Sequence, residues 1–580
     1  MGALKKKLGG LFHGDIKGQL AWLFRLTKAN LRGVLIYTLL GVISVLSGLA
    51  CSVTMRYLID AIPTRNSELF GRAAIVFISF GIAKIVFTAL SGRISEKISL
   101  DMRLSLNRSV FDAIVNSKWM SVSKYQAGDL INRLNSDVNS VIAGVLGATP
   151  SIMINTVKFF AVFAIILVYD PILALLACVG LPLSALFSRY ILKRIYIHSK
   201  EVRSAGGRLT AFVGNCLSNL EQLKGLGLSS VFLKKYDKVL ADYKKASLDY
   251  NRISVLSAAV ISLVGQLAMY VCGGWGLYRL WRGEISFGTL AMFIQLSSYL
   301  SSAFSALVGA IAPTVSSMTA AGRIIEVEAL QKEAESELDI VPFGEFRSVE
   351  LADICFAYDG SDNSILSQSN FEARAGERTA LIGESGLGKT TVLRLLLSMV
   401  DKKEGKAVLH FENGDIELGS NTRACFAYVP QENSVFSDTV AANLRLVKPT
   451  ATDEELIDAL KQACAYDFVK ELPHGIYSLI GEGSHGLSEG QLRRIAIARV
   501  FLSQAAVVLL DEATSPLDPA ISAKIFDNIC ARQGGRACIY ITHRPELLRY
   551  ADRIYTIKDG RALTLSSHLA QEQAFFLDIR

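Results

Sequence analysis

Long apolar stretches mark the first half of the chain, and short alternating ones mark the second. A helix that crosses a bilayer needs about 20 apolar residues. Six stretches meet this requirement, near residues 33–53, 73–90, 150–168, 172–190, 255–280 and 290–313. The pattern predicts an all-α transmembrane domain with six membrane helices over residues 1–328.

The connections between spans two and three and between spans four and five are long, basic and free of strand alternation. We therefore expect the membrane helices to extend through them into the cytosol. The turn between spans three and four has no Lys or Arg, and the other outer loops have few. Because Lys and Arg concentrate in cytoplasmic loops, both termini are predicted to face the cytosol.

A basic, amphipathic segment precedes the first span. Over residues 1–32, five lysines are interleaved with leucines and aromatic residues, which predicts a helix near residues 10–30 lying on the membrane surface. A mitochondrial presequence is the rival interpretation. It is disfavoured because the segment is rich in Lys and Gly rather than Arg and Ser, and contains Asp15.

A charged linker, residues 329–346, separates the membrane half from a soluble α/β pattern over residues 347–580. Four segments have the apolar patterns of strands: 349–354, 378–382, 506–510 and 537–541. Turn residues at 412–415 and at 559–560 predict two hairpins.

The amino-acid composition is typical of a membrane protein and gives no sign of a metal or nucleic-acid partner. Of the 580 residues, 51% are hydrophobic and 20% are charged, and the mean hydropathy is +0.34. The nine cysteines have no paired spacing, so neither a disulfide framework nor a structural metal site is expected. The net charge of +8 is modest, and no nucleic-acid partner is predicted.

The strongest local signal is a phosphate-binding loop between a predicted strand and a predicted helix. It fits the pattern G-x-x-x-x-G-K-[ST], in which backbone N–H groups and a lysine bind the phosphates of a nucleotide. Its residues are Gly383, Glu384, Ser385, Gly386, Leu387, Gly388, Lys389, Thr390 and Thr391. The helix that follows adds its dipole to the anion site.

Two adjacent carboxylates, Asp511 and Glu512, follow a strongly apolar strand. An aspartate at such a strand end is placed to hold Mg²⁺ beside Thr390 of the phosphate loop. The neighbouring glutamate can polarise a water for attack on the γ-phosphate. The pair therefore predicts ATP hydrolysis.

The segment Leu487-Ser488-Glu489-Gly490-Gln491 resembles the L-S-G-G-Q signature of ATP-binding cassette (ABC) proteins. Other cassette motifs follow the family order: Tyr358, Gln431, the segment 481–483, the segment 515–518 and His543. Residues 128–138 are similar to a stretch that follows the first cytosolic coupling helix of ABC exporters. The chain thus resembles an exporter half-transporter along essentially its whole length.

This resemblance implies roles for the motif residues. Tyr358 would stack on adenine, whereas Ser488, Gly490 and Gln491 would contact the ATP held by a second subunit. Thr390, Gln431 and Asp511 would hold Mg²⁺. Glu512, His543 and Gln431 would act in hydrolysis. The second half-transporter is expected to be an identical chain, with a heterodimer as the alternative, in a bacterial plasma (inner) membrane.

Two positions depart from the family pattern. Glu489 replaces the first signature glycine, which either places a carboxylate near the partner's triphosphate or points away from it. Pro516 replaces a more common alanine, for which sequence gives no physical account.

Two lysines, Lys84 and Lys158, lie within predicted spans. A charge at the bilayer centre costs about 2.5–3.5 kcal/mol on insertion scales, so it usually faces a bundle interior or water. They would then line a cavity for anionic or zwitterionic cargo. The alternative is that each lysine reaches the headgroups, which is preferred for Lys158 and left open for Lys84. Polar residues at 155, 266 and 295 would line the same lumen or join helices.

The family motifs leave direction and cargo open. Export by alternating access is the favoured function, and an importer on the same scaffold or a non-transporting ATP-gated regulator are the alternatives. Small molecules, peptides and lipids all remain possible cargo, and membrane lipid surrounds the spans.

Overall fold

The computed structural model describes residues 16–63, 65–333, 343–358, 364–384, 386–431, 435–481, 486–532 and 534–565. The chain divides into two compact units. One comprises Met1–Val115 and Gln126–Ala329, and the other comprises Asn116–Tyr125 and Leu330–Arg580. Four predicted features lie wholly or partly outside the described residues: the start of the surface helix, most of the linker, Ser385, and the pair Glu482 and Gly483.

The first unit is helical. Its helices are α1 (Ile16–Ala29), α2 (Leu31–Ala61), α3 (Ser67–Val115), α5 (Ala127–Asn132), α6 (Val138–Ile142), α7 (Thr149–Tyr169), α8 (Pro171–Ser218), α9 (Leu220–Gly225), α10 (Ser229–Trp281), α11 (Phe287–Gly309) and α12 (Ile311–Glu328). The short helix α4 (Trp119–Val122) belongs to the second unit.

Three helices are much longer than a bilayer is thick. Helices α3, α8 and α10 contain 49, 48 and 53 residues. At 1.5 Å per residue each is about 70–80 Å long, against about 30 Å of hydrocarbon. The expectation that the basic connections are helical is therefore confirmed.

Among the described residues, four helical segments are long and apolar enough to cross a membrane: Leu31–Ala61, Ser67–Val115, Ala127–Tyr169 and Phe287–Leu307. The other two predicted spans, 172–190 and 255–280, lie within α8 and α10 and include side chains outside the described set. The count of six spans therefore stays a prediction.

The turn between α7 and α8 is fixed by Asp170. Its Oδ1 accepts from the backbone N–H groups of Ile172 and Leu173, at 3.0 and 3.1 Å, and caps α8. Its Oδ2 accepts from Trp275 Nε1 at 3.0 Å and from Arg279 Nη1 at 2.7 Å. Since only 1% of Asp170 is exposed, these bonds join α10 to the turn.

The segment from α5 to α7 is one nearly continuous helix with π-helical turns at Arg133–Asp137 and Ala143–Ala148. Arg133 contacts Glu326 on α12 at 3.1 Å. A Cβ on Gly144 would lie 2.1 Å from Ser317 Oγ, so α12 packs closely here. The segment from α5 to α7 therefore packs on α12 through a charged pair at Arg133 and through the small residue Gly144 further along.

The second unit contains the strands β1 (Phe346–Phe356), β2 (Leu366–Arg374), β3 (Arg378–Ile382), β4 (Glu404–Phe411), β5 (Gly414–Glu417), β6 (Phe426–Val429), β7 (Asp438–Thr439), β8 (Leu479–Ile480), β9 (Val507–Asp511), β10 (Ala537–Ile541), β11 (Arg553–Lys558) and β12 (Arg561–Leu565). Its other helices are α13 (Lys389–Leu396), α14 (Val440–Arg445), α15 (Asp453–Gln462), α16 (Tyr466–Lys470), α17 (Glu489–Leu502) and α18 (Pro519–Ala531). The four predicted strands and both predicted hairpins are confirmed.

The main sheet has the order β12-β11-β3-β10-β9-β6, and its strands from β11 to β6 are parallel. An antiparallel sheet of order β2-β1-β4-β5 accompanies it. Apolar clusters cover the main sheet, one including Leu510 and Ile497 and the other including Leu509 and Leu393. Because β3, β6, β9 and β10 run parallel, their carboxyl ends share one edge, and the predicted site residues follow them.

Candidate active site

The phosphate loop leaves β3 at Ile382 and enters α13 at Lys389. Gly383, Gly386 and Gly388 have φ of 133°, 85° and 102°, a backbone region in which side chains are strained. At Gly388 a Cβ would also lie 2.7 Å from Ile365 Cγ2. The loop thus needs glycine at these positions, and it presents the N-terminus of α13 to an anion.

Lys389 is buried within this loop. Its Nζ donates to the carbonyl oxygens of Gly383 and Glu384, at 2.6 and 2.8 Å. Burial lowers the pKa of Lys389, and the carboxylates of Glu512 and Asp511 oppose that change. The ammonium is therefore held at the loop by neutral oxygens.

Asp511 ends β9 and is 1% exposed. Burial and the neighbouring Glu512 raise the pKa of Asp511 to about 6, although Arg394, a hydrogen bond with Thr390 and Lys389 act in the opposite direction. Its Oδ1 has no hydrogen-bond partner among the described residues. A buried, unpartnered carboxylate oxygen beside a threonine hydroxyl fits the oxygen ligation that Mg²⁺ prefers.

Glu512 lies between the other two predicted hydrolysis residues. Gln431 Nε2 donates to Glu512 Oε2 at 3.0 Å, and His543 Nε2 is 3.1 Å from Glu512 Oε1. The φ of Glu512 is 47°, a strained value for a residue with a side chain. The loops after β6, β9 and β10 thus bring Gln431, Glu512 and His543 together, as the sequence predicted.

Sequence reasoning missed Arg493, which holds the Gln431 loop. Arg493 lies on α17, is 3% exposed, and donates to the carbonyl oxygens of Pro430 and Gln431. The sequence did offer a signal for this role, since Arg493 lies among apolar residues of the helix that follows the signature. A buried guanidinium requires hydrogen-bond acceptors, so an arginine there is expected to bond to a nearby loop.

The signature residues begin α17. Ser488 Oγ accepts from the N–H of Gln491 at 3.3 Å, and Gln491 Oε1 accepts from the N–H of Ser488 at 2.7 Å. This reciprocal pair is a capping box. A Cβ on Gly490 would lie 3.1 Å from the carbonyl oxygen of Pro516, so glycine permits close packing there. Nothing in the structure explains proline rather than alanine at 516.

The Glu489 carboxylate lies near a cation of its own helix. Its Oε1 is 3.5 Å from Arg493 Nη2, one turn further on, while most of the side chain is exposed. The carboxylate therefore has a cationic neighbour within its own chain.

Tyr358 lies beside α13. Its hydroxyl accepts from Arg394 Nη1 at 2.8 Å and is 3.4 Å from Thr391 Oγ1. Arg394 also lies over the ring of Trp119, 4.8 Å from its centroid. Arg394, a second residue that sequence reasoning missed, thus connects α4 to Tyr358, and the stacking of Tyr358 on adenine stays a prediction.

In the helical unit, the two predicted cavity lysines come together at Tyr299 of α11. Lys84 Nζ and Lys158 Nζ lie 5.9 and 5.0 Å from the centroid of its ring. Lys158 Nζ also donates to Ser302 Oγ at 2.7 Å. Asn155, by contrast, donates to the carbonyl oxygen of Ser151 on its own helix. Sequence reasoning did not single out Tyr299.

Comparisons with known proteins agree with this architecture. Residues 34–304 match the family model of the ABC transporter transmembrane region, and residues 366–515 match the ABC transporter model. The chain is 26% identical to the "Uncharacterized ABC transporter ATP-binding protein YfiC" of Bacillus subtilis, over 79% of this chain and 76% of the relative.

Two further similarities extend over most of the chain. It is 26% identical to a "Putative multidrug export ATP-binding/permease protein" of Staphylococcus aureus strain Mu50, over 85% of this chain and 86% of the relative. The solved structure of a bacterial Atm1-family ABC exporter with ATP bound matches it with a TM-score of 0.81 at 22% identity, over 96% of this chain and 98% of that one.

The membrane-region match and the cassette match occupy successive parts of one polypeptide, and the fold is that of an ABC exporter. Together with the homologues, they show an ATP-hydrolysing membrane transporter. The chain therefore belongs to the ABC transporter family and is of the exporter half-transporter type.

Proposed function

We propose that this chain forms one half of a dimeric exporter that uses ATP hydrolysis to move an amphipathic, peptide-like or lipid-like substrate by alternating access. The observation that carries the proposal is the position of Glu512, between Gln431 and His543 at the sheet edge that also bears the phosphate loop. The name of the relative from Staphylococcus aureus refers to multidrug export, which supports export as the direction of transport.

Each residue of this edge has a chemical task in the proposal. Glu512 accepts a hydrogen bond from the attacking water and orients it toward the γ-phosphate. Lys389 and the N–H groups of its loop bind the β- and γ-phosphates. His543 contacts the γ-phosphate and keeps Glu512 in place.

Thr390, Asp511 and Gln431 would hold Mg²⁺. The unpartnered Oδ1 of Asp511 supports this assignment. When bound, the ion neutralises charge that develops on the phosphates.

A second subunit completes the site. Among the described contacts, Ser488 and Gln491 bond to each other, and Gly490 packs on Pro516. The chain has one phosphate loop and one signature. We propose that Ser488, Gly490 and Gln491 contact the nucleotide of an identical partner chain, with Tyr358 stacking on adenine in its own cassette.

The proposed location is a bacterial inner membrane, with the termini and the cassette in the cytosol. The Lys and Arg residues of the long helical connections support this orientation. An interfacial role for α1, with a basic and an apolar face, agrees with it.

Transport in inside-out vesicles tests the proposal. Vesicles containing the full-length protein should accumulate a fluorescent amphipathic dye when ATP is added outside, and a non-hydrolysable ATP analogue should not support accumulation. ATP-driven release of preloaded dye would instead indicate import. Hydrolysis that the dye stimulates without any flux would indicate a non-transporting regulator.

A further inference from the structure

Four membrane helices meet at the ring of Tyr299. Helix α11 packs against α2 and α7, and α2 packs against α3. The stem of Lys84 lies against Gly48, where a Cβ would be 3.4 Å from Lys84 Cδ and 3.7 Å from Tyr299 Oη. Lys84 thus extends from α3 past Gly48 of α2 toward Tyr299 of α11.

Neither lysine contacts a carboxylate in the part of the chain that the structure describes. The sequence contains no Asp or Glu at 31–59, 69–95, 138–169 or 285–325, ranges that include the apolar parts of these four helices and adjoining residues. Among the described residues, Lys84 Nζ has only the ring of Tyr299, and Lys158 Nζ has that ring and the Ser302 hydroxyl. Two positive charges therefore face one ring without a counter-ion.

The direction of the ammonium groups argues against simple extension to the headgroups. A lysine that only reaches the interface would direct its stem toward the nearer end of its own helix. Lys84 and Lys158 come from different helices, and both ammonium groups lie on the same ring of a third helix. Because Lys84 and Ser302 are exposed and Lys158 is half-buried, a ligand can reach them.

We propose that Lys84, Lys158, Tyr299 and Ser302 bind the acidic group, a phosphate or carboxylate, of an amphipathic anion. The two ammonium groups supply charge, and the two hydroxyls supply further hydrogen-bond donors. Tyr299 also packs against the apolar cluster that includes Leu49, Val162 and Leu296, which offers a wall for an apolar tail. The inference rests on the proposed function only in treating this anion as cargo.

Equilibrium binding to the full-length protein, without nucleotide, tests the site directly. The protein is placed in phosphatidylcholine nanodiscs and titrated with radiolabelled dodecyl phosphate, with empty nanodiscs as the correction for partitioning. Dodecyltrimethylammonium serves as the cationic comparison. Saturable binding is expected for the phosphate alone.

The double variant K84Q/K158Q should raise the dissociation constant for dodecyl phosphate at least about tenfold, because hydrogen bonds to charged groups each contribute about the free energy of a tenfold change or more. K84R/K158R should restore binding, which shows that any loss in the glutamine variant is not misfolding. Lys97→Gln, on the exposed cytosolic part of α3, is the matched control and should bind as the wild type does. Equal affinity in the wild type and in K84Q/K158Q would overturn the proposal.

Two further arms identify the source of the anion. If the site holds a membrane lipid, adding phosphatidylglycerol to the nanodiscs should displace dodecyl phosphate from the wild type and have no such effect in K84Q/K158Q. If it holds cargo, dodecyl phosphate should stimulate ATP hydrolysis in phosphatidylcholine. Saturable binding of dodecyl phosphate that does not stimulate ATP hydrolysis would support the anion site and contradict its role in transport. ATP hydrolysis without saturable binding of dodecyl phosphate would support the ATPase and contradict the anion site.

Discussion

Positive charges inside the membrane spans and positive charges in the cassette have different surroundings. Several cassette cations are matched with carboxylates: Arg378 lies 2.6 Å from Asp552, and His410 lies 2.7 Å from Asp415. In the membrane helices, Lys84 and Lys158 have a ring and a hydroxyl instead. A cation with a carboxylate already has its counter-charge, whereas one without a carboxylate is available to a ligand.

Lys389 shows why this difference is informative. It is a cassette cation, yet among the described residues its hydrogen bonds go to two carbonyl oxygens and it forms no ion pair. Lys389 is also the residue that the phosphate-loop motif assigns to an anionic ligand. Lys389 thus shows that an unmatched lysine of this chain can lie where a motif assigns an anion, which supports assigning an anion to Lys84 and Lys158.

The largest predicted effect concerns an unmatched carboxylate. The described ion-pair contact of Glu512 is with His543, and no Arg or Lys neutralises it among the described residues. Glu512→Gln should lower the rate of ATP hydrolysis about 10²–10⁴-fold, because general-base groups contribute on this scale. Steady-state phosphate release from the full-length protein in nanodiscs measures it.

Glu471→Gln, at an exposed glutamate of the same cassette, is the control and should hydrolyse ATP at the wild-type rate. Nucleotide binding should survive in Glu512→Gln. A rate within twofold of the wild type in that variant would show that Glu512 has no role in the chemical step.

Breaking a matched pair should lower the stability of the protein, whereas removing an unmatched cation should not. Asp170→Ala removes a helix cap and the acceptor of Trp275 and Arg279, although Arg279 keeps Glu284 at 2.8 Å. It should therefore lower the free energy of unfolding by about 1–3 kcal/mol. Lys158→Gln removes a charge that has no counter-ion and should leave stability equal or higher. Thermal unfolding in nanodiscs measures both.

Asp401→Ala is the control for a surface pair. Asp401 contacts Lys118 at 2.8 Å but is 69% exposed, so its loss should change stability by less than about 1 kcal/mol. A large destabilisation in Lys158→Gln would mean that this lysine is structural, and the distinction between matched and unmatched cations would fail.

Local sequence rules predicted the cassette well, and they predicted the lysine cluster poorly. The phosphate loop, Asp511 and Glu512 each follow a recognisable strand, and parallel strands bring such ends to one edge. Arg493 and Tyr299 were missed because their roles depend on neighbours distant in sequence, the loop at Pro430 in one case and two other helices in the other. The grouping of residues 116–125 with the second unit depends in the same way on tertiary packing.

A smaller effect is expected at a matched histidine. Burial opposes protonation of His410, but the carboxylates of Asp415 and Glu350 outweigh it and raise the pKa of His410 above its ordinary value. The charged imidazole therefore stabilises the fold below about pH 6.5. This stabilisation is lost as the pH rises through the raised pKa.

His410→Gln should thus unfold up to about 2–4 °C below the wild type at pH 6, and the difference should shrink at pH 9. Scanning calorimetry of the full-length protein follows the cassette transition. His474→Gln, at an exposed histidine with no described carboxylate contact, should show no such dependence on pH. A constant difference for His410→Gln between pH 6 and pH 9 would assign its effect to packing.

The smallest effect should come from Glu489, because this carboxylate already has Arg493 as a neighbour at 3.5 Å. Because the Glu489 side chain is 76% exposed, this i,i+4 pair contributes about 0.3–0.5 kcal/mol. Glu489→Gln should therefore keep the rate of ATP hydrolysis and the half-saturating ATP concentration within about twofold of the wild type. A tenfold fall in the half-saturating ATP concentration of Glu489→Gln would show that the wild-type carboxylate repels the triphosphate of ATP. In that case Glu489 would act on a ligand even though Arg493 of the same chain is its neighbour.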